Sequence, residues 1–311
     1  MTDAGNIFFI PFEIRLMEWL QAHLPDWSIG AISALSVFGE EMLLVLILGF
    51  IYWSWNKRMG KRLGLVLIAV QICTAMIKNV VLRLRPYFAS DNVKLLRKID
   101  ADADIYDVAA QGYSFPSGHS ANSTAVYGDI HRQVRKKWTL ALAVALPLLV
   151  GFSRVAVGAH FPTDVLAGWA LGLALIFLVP FLESKIKNRF VFYLIFLIAG
   201  LPGFFFCRSS DYFSSYGMLL GFTLGIAFEG RFVNFENTRS PLRMILRVVF
   251  GVAVYFALNT LLKMPFSKDF LESGSFLSLL TRTLRYAVVA FVCFGVYPLL
   301  FKLTAGIGKK K

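Results

Sequence analysis

The chain has 311 residues, of which 57% are hydrophobic, with a mean hydropathy of +0.63, a formal charge of +13 and a pI near 9.8. This composition excludes an ordinary soluble globular domain. It also argues against a nucleic-acid partner, because the Lys and Arg residues fall in short clusters between apolar runs and form no basic stripe.

The first segment, from Phe9 to Leu24, mixes apolar positions with Glu13, Arg15, Glu18 and His23, the pattern of an amphipathic helix lying in the membrane interface. Beyond it, mostly apolar stretches of bilayer-spanning length recur near 32–54, 62–82, 118–133, 138–156, 162–182, 190–207, 213–230, 243–262 and 283–303. An all-α, polytopic transmembrane helix bundle of about nine spans is predicted. Ser120, Asn122, Ser123, Thr124 and Asp129 make the third span polar, so it is expected to run through a protein-lined interior. Glu40 and Glu41 fall inside the first span, where an interhelical structural role is expected. Cys73, Cys207 and Cys293 match no zinc or redox spacing.

Basic residues are retained on the cytoplasmic side of a membrane. One threading, with the N-terminus out and the C-terminus in, places five basic groups inside. They are Lys57 to Arg62, Arg132 to Lys137, Lys185 to Arg189, Arg231 to Arg243, and the tail Lys309 to Lys311. The loops near 83–117, 157–161, 208–212 and 263–282 then face outward, the first carrying Asp100, Asp102, Asp104 and Asp107. A single membrane domain is expected, with an interfacial helix over 1–27, a catalytic core over 28–185 and additional spans over 186–311.

Three outward segments concentrate polar chemistry where a lipid-embedded chain avoids it. Lys78 and Arg85, near the end of the second span, are seven residues apart; two helical turns would put both cations on one face, a site for a dianion. Pro86 marks where the chain leaves the membrane. Pro116-Ser117-Gly118-His119 opens the third span, so free backbone N–H groups and the positive end of the helix dipole meet the outer surface. There Ser117 and Gly118 suit phosphate oxygens, and His119 suits a general acid. Arg154 ends the fourth span, and His160 lies in the turn before Pro162. Asp164 follows four residues later, placed to orient one imidazole nitrogen and leave the other free to attack.

Together the three segments resemble the signature of the type-2 phosphatidic acid phosphatase superfamily, which includes lipid phosphate phosphatases, undecaprenyl-diphosphate phosphatases, glucose-6-phosphatases and vanadium haloperoxidases. The parts are Lys, six residues, Arg-Pro; then Pro-Ser-Gly-His; then Ser-Arg, five residues, His, three residues, Asp, and all are present in order between residues 78 and 164. The resemblance implies that Lys78, Arg85, Ser117, Gly118 and Arg154 bind phosphate. It also implies that His160 attacks phosphorus to give a phosphohistidine, that Asp164 orients it and that His119 serves the leaving group and then water. It implies neither metal nor other cofactor.

The expected function is hydrolysis of a phosphomonoester or diphosphate at the outer face of the membrane, most readily of a lipid such as a phosphatidate-like molecule or a polyprenyl diphosphate. The expected partners are membrane lipids and the phosphorylated substrate, and the expected location is a bacterial plasma membrane with the site facing the periplasm or exterior. A sugar phosphatase like glucose-6-phosphatase is the alternative, on the count of nine spans and on Arg85-Pro86-Tyr87 and Ala159-His160-Phe161-Pro162. From a different class, a non-catalytic transporter would explain polar residues in a bundle but not why His119, His160 and Asp164 converge.

Overall fold

The computed structural model describes residues 5–98 and 102–302. Asp100 and the basic tail Lys309 to Lys311 lie outside them. The described chain is helical, and its one β contact is an isolated bridge between Asn6 and Arg83. In order the helices are α1 (Pro11–His23), α2 (Asp26–Ala34), α3 (Glu41–Phe50), α4 (Lys57–Val81), α5 (Val108–Gln111), α6 (Gly118–Val134) and α7 (Lys137–Ala156). There follow α8 (Pro162–Lys185), α9 (Arg189–Gly200), α10 (Gly203–Phe206), α11 (Ser210–Phe228), α12 (Pro241–Leu261), α13 (Lys268–Glu272) and α14 (Phe276–Phe291).

Among the described residues, six helical segments are long and apolar enough to cross a membrane: Lys57–Val81, Lys137–Ala156, Pro162–Lys185, Arg189–Phe206, Pro241–Leu261 and Phe276–Phe301. A seventh arises if Asp26–Gly39 and Glu41–Trp55, bent by 45° at their junction, form one broken span. Of the nine expected spans, those over α6 and α11 do not qualify. The reason is their setting. Both bury a large share of their side chains in protein, among them Ser120, Ser123, Thr124 and Asp129 of α6 and Tyr212, Ser215 and Tyr216 of α11. A helix enclosed by other helices is not required to be apolar all round. Helices such as α7 and α12 instead expose Leu140, Leu148, Phe152, Ile245 and Val249, as a lipid-facing surface requires.

Two compact units partition the chain. One gathers the described residues up to Leu44 with Cys73–Leu178, and the other gathers Val45–Ile72 with the described residues from Val179 onward. In the first, Arg135 in a left-handed conformation ends α6, and α7 starts two residues later. Pro162 then starts α8 directly after the short turn that closes α7. These tight reversals bring the start of α6, the end of α7 and the start of α8 together. A side chain at Gly168 would stand 2.6 Å from the Ser117 carbonyl, and one at Gly172 would stand 2.8 Å from that of Ala121. Glycine every fourth residue thus lets α8 lie directly on the backbone of α6. A small core of Ile14, Met17, Val93, Val155, Phe161 and Val165 docks α1 onto the α7–α8 turn.

In the second unit α11 and α14 pack backbone to backbone, with Gly217 facing the Thr283 carbonyl and Gly221 that of Ala287. Tyr52 and Trp53, in a π-helical turn, donate to the carbonyls of Phe294 and Cys293 in another π-helical turn. Such turns widen the helix, and here side chains occupy groups that the regular ladder leaves over.

Candidate active site

All the residues singled out in the three segments lie in the first unit. α4 stops at Val81, where Leu82 takes a left-handed conformation (φ 53°) and the chain continues to Arg85 as a non-helical segment. Lys78 and Arg85 therefore do not share a helical face, as their spacing suggested. Lys78 occupies the last turn of α4, and Arg85 lies beyond the helix.

Arg85 is 3% exposed. Its guanidinium donates to the carbonyls of Gln111 (2.7 Å from Nη2), Gly112 (2.9 Å from Nε) and Ala159 (2.7 Å from Nη1), and Nη1 lies 3.5 Å from Nε2 of His160. It thus pins the end of the outer loop to the turn that holds His160. Ser114 ties the end of the outer loop to the segment after α4 by donating from its N–H to the Arg83 carbonyl (2.8 Å).

His160 is 2% exposed. Its Nδ1 faces Oδ2 of Asp164 at 3.5 Å, a contact longer than a hydrogen bond, while Nε2 faces the guanidinium of Arg85. Asp164 is fully buried, with Oδ2 accepting from the Phe161 N–H (2.8 Å) and Oδ1 from Arg83 (2.6 Å). The carboxylate is thus fixed independently of the imidazole.

Arg154 is 1% exposed and donates from Nη1 to Ser36 Oγ (3.1 Å), while Ser36 and Ser153 share a hydrogen bond. Nε and Nη2 of Arg154 have no hydrogen-bond partner. Buried donors are rarely left so. An anion is the natural partner for two adjacent guanidinium N–H groups.

Ser117 caps α6, its Oγ accepting from the Ser120 hydroxyl (2.9 Å), and its N–H donates to the carbonyl of Asp164 (3.0 Å). That amide is occupied and locks the second segment to the third, and Ser117 Oγ also takes the Ser120 N–H, which leaves the Gly118 and His119 amides at the helix start for a ligand. A side chain at Gly118 would meet only Thr74, at 3.7 Å, so the space beside it is open. His119 lies within electrostatic reach of Arg154, His160, Lys78 and Arg85. The sequence-predicted residues are thus gathered into one cationic cluster.

Burial holds the His160 imidazole well below its ordinary range, and the charges of Arg85, Arg154 and Lys78 push it the same way. A ring so shifted stays neutral as the pH falls through about 6.5, where a free imidazole would take up a proton. The acidic limb of kcat/KM that reports this ring is expected below pH ~6.5. Removing one cation in Lys78→Met is expected to move that limb upward. A profile unchanged by Lys78→Met would contradict this electrostatic picture.

Sequence reasoning missed a second layer. Arg83, a position that the three-part signature leaves unspecified, is 1% exposed. It donates to Asp164, to Glu13 (3.1 Å), to Thr163 Oγ1 (2.8 Å) and to the Phe8 carbonyl (2.9 Å), and it stacks 3.9 Å from the Phe161 ring centroid. Glu13 in turn accepts from the N–H (2.9 Å) and hydroxyl (2.6 Å) of Thr163. The signal was available: Glu13 stands one turn before Met17 and beside Ile14, on the buried face of α1. Glu40 pairs with Arg97 of the outer loop.

Comparison with known proteins places this geometry. The model for the PAP2 superfamily matches residues 60–187, and that for the PAP2 superfamily phosphatase transmembrane extension matches residues 213–310. Phosphatidylglycerophosphatase B of Bacillus subtilis is 33% identical over 155 residues, covering 47% of this chain and 68% of that protein. This chain belongs to the PAP2 superfamily. It is a membrane phosphatase of that family. Among other PAP2 members, an undecaprenyl-diphosphatase of Sulfolobus acidocaldarius is 27% identical over 177 residues, covering 56% of this chain and 80% of its own length. The crystal structure of a transmembrane PAP2-type phosphatidylglycerolphosphate phosphatase from Bacillus subtilis covers 57% of this chain and 87% of that chain, at 26% identity and a TM-score of 0.44.

Proposed function

We propose that this protein hydrolyses the terminal phosphate of a phosphorylated membrane lipid through a phosphohistidine on His160. The observation that carries the reading is the buried guanidinium of Arg154, with Nε and Nη2 unpartnered and its charge within electrostatic reach of His160. Lys78, Arg85 and Arg154, with Ser117 and the backbone at Gly118, hold the phosphate oxygens and stabilise the charge of the transition state. His160 Nε2 attacks phosphorus while Asp164 orients the ring. His119 protonates the leaving oxygen, then takes a proton from the water that cleaves the phosphorus–nitrogen bond, so inorganic phosphate leaves and both imidazoles are restored.

The same reading places the site at the outer face, on a nine-span threading with the N-terminus out and with α6 and α11 as enclosed crossings. The helices support it. α4 begins at Lys57 and carries Lys78 in its last turn, and α6 begins with His119 beside its cap and ends near Arg132. α7 begins at Lys137 and ends near Arg154, and α8 carries Asp164 in its first turn and ends at Lys185. In each, basic residues and site residues take opposite ends, as a cytoplasmic basic side requires. Relatives named for phosphatidylglycerophosphate and undecaprenyl diphosphate support a lipid substrate.

Phosphate release by the purified protein tests the substrate class. The panel is phosphatidate, lysophosphatidate, phosphatidylglycerophosphate, undecaprenyl diphosphate, sphingosine phosphate and glucose 6-phosphate. One or more lipids are expected to exceed glucose 6-phosphate in kcat/KM by about 100-fold, with turnover unchanged by excess chelator. Preference for glucose 6-phosphate would move the assignment to a sugar phosphatase, and loss of activity with chelator would remove the metal-free scheme.

A further inference from the structure

The second unit contains a cavity of about 550 Å³ between the first turns of α4, the end of α8, α9 and the end of α11. None of its lining residues belongs to the unit that holds His160. Its wall is of two kinds. Lys57, Arg58, Lys61, Arg62 and Arg189 supply five cations, and most of the rest is apolar, including Leu65, Leu197 and Leu224.

Four of the cations are held in place. Glu229, whose side chain is fully buried, accepts from Lys57 (2.8 Å) and Lys61 (2.9 Å), and Glu183 accepts from Arg62 (3.2 Å) and Arg189 (2.6 Å). Five cations against two carboxylates leave a net charge of +3 around the cavity. Arg58 lies outside these pairs and is solvent-exposed. Glu183 and Glu229 thus act as braces that hold a cationic rim open, since each spreads one negative charge over two cations.

A fixed cationic rim above an apolar cleft, at the ends of membrane-crossing helices, is complementary to a molecule with an anionic head and hydrocarbon chains. A free anion would leave the apolar wall unused, and a zwitterionic lipid would gain nothing from the net charge. We infer that this cavity binds one anionic phospholipid, recognised by its phosphodiester head, at a site that uses none of the hydrolytic residues.

The test uses the full chain, stripped of lipid in neutral detergent and titrated with phosphatidylglycerol, phosphatidylcholine or inorganic phosphate. Native mass spectrometry counts the lipid bound. One phosphatidylglycerol per chain is expected to bind at least ~10-fold more tightly than phosphatidylcholine, and millimolar inorganic phosphate is not expected to displace it. Arg58→Gln, which touches neither braced pair, is expected to weaken binding about 5-fold, and Arg58→Gln with Arg189→Gln about 25-fold. His160→Ala is expected to leave it unchanged. Equal binding of the two lipids, no effect of Arg58→Gln, displacement by inorganic phosphate, or loss of binding in His160→Ala would each overturn the inference.

Discussion

Replacing His160 with Ala is expected to lower turnover by roughly 10⁴-fold or more, with helix content and thermal midpoint close to those of the parent. On the proposed mechanism, the activity loss follows from removing the attacking nitrogen. The fold survives because Nδ1 has no hydrogen-bond partner, while the structural bond at this position, from the His160 N–H to the Arg154 carbonyl (3.2 Å), belongs to the backbone. A labelled phosphoryl donor with a leaving group that needs no proton separates the two histidines. His119→Ala is then expected to form the phosphoenzyme and accumulate it, because water lacks its base, whereas His160→Ala forms none. Equal labelling of parent and His160→Ala would place the covalent step elsewhere or remove it.

Arg83→Met is expected to have the largest effect on stability, about 3–5 kcal/mol, together with loss of activity. The change leaves Glu13 and Asp164, 2% and 0% exposed, as buried carboxylates without the guanidinium that both engage. Arg83 itself is a positioning residue. It acts through Asp164 and through the contact of α1 with Thr163. The pairing with Glu13 is separable: adding Glu13→Gln to Arg83→Met removes one stranded charge, and the double variant is expected to recover about 1–3 kcal/mol of the loss. Additive losses in a double-mutant cycle, read by thermal unfolding in detergent, would show that the buried pair is not coupled.

The convergence of the candidate residues was legible in sequence because their three segments carry charge where apolar residues are the norm, and because the short turns after Val134 and Ala156 force their helices to fold back. Two features were hidden. Arg83 and Arg85 are two residues apart and chemically identical, so nothing local says that one holds Asp164 and the other the outer loop. The extent of α4 was hidden too, since the left-handed turn at Leu82 carries no glycine or asparagine to announce it. The burial of α6 was legible in its polar residues, Ser120, Ser123, Thr124 and Asp129 among them, whereas no comparable signal announced that of α11. The cationic cavity could not be anticipated at all. Its lining comes from segments that begin at Lys57 and run as far as Gly230, and the same basic residues read in order look like an ordinary positive loop signal.

Arg85 grips the end of the outer loop through main-chain oxygens, those of Gln111 and Gly112. Every amino acid brings such an oxygen. Positions 111 and 112 can therefore change side chain without removing the oxygens that anchor the end of the loop, a freedom that Tyr87 and Val93, buried in protein, do not share.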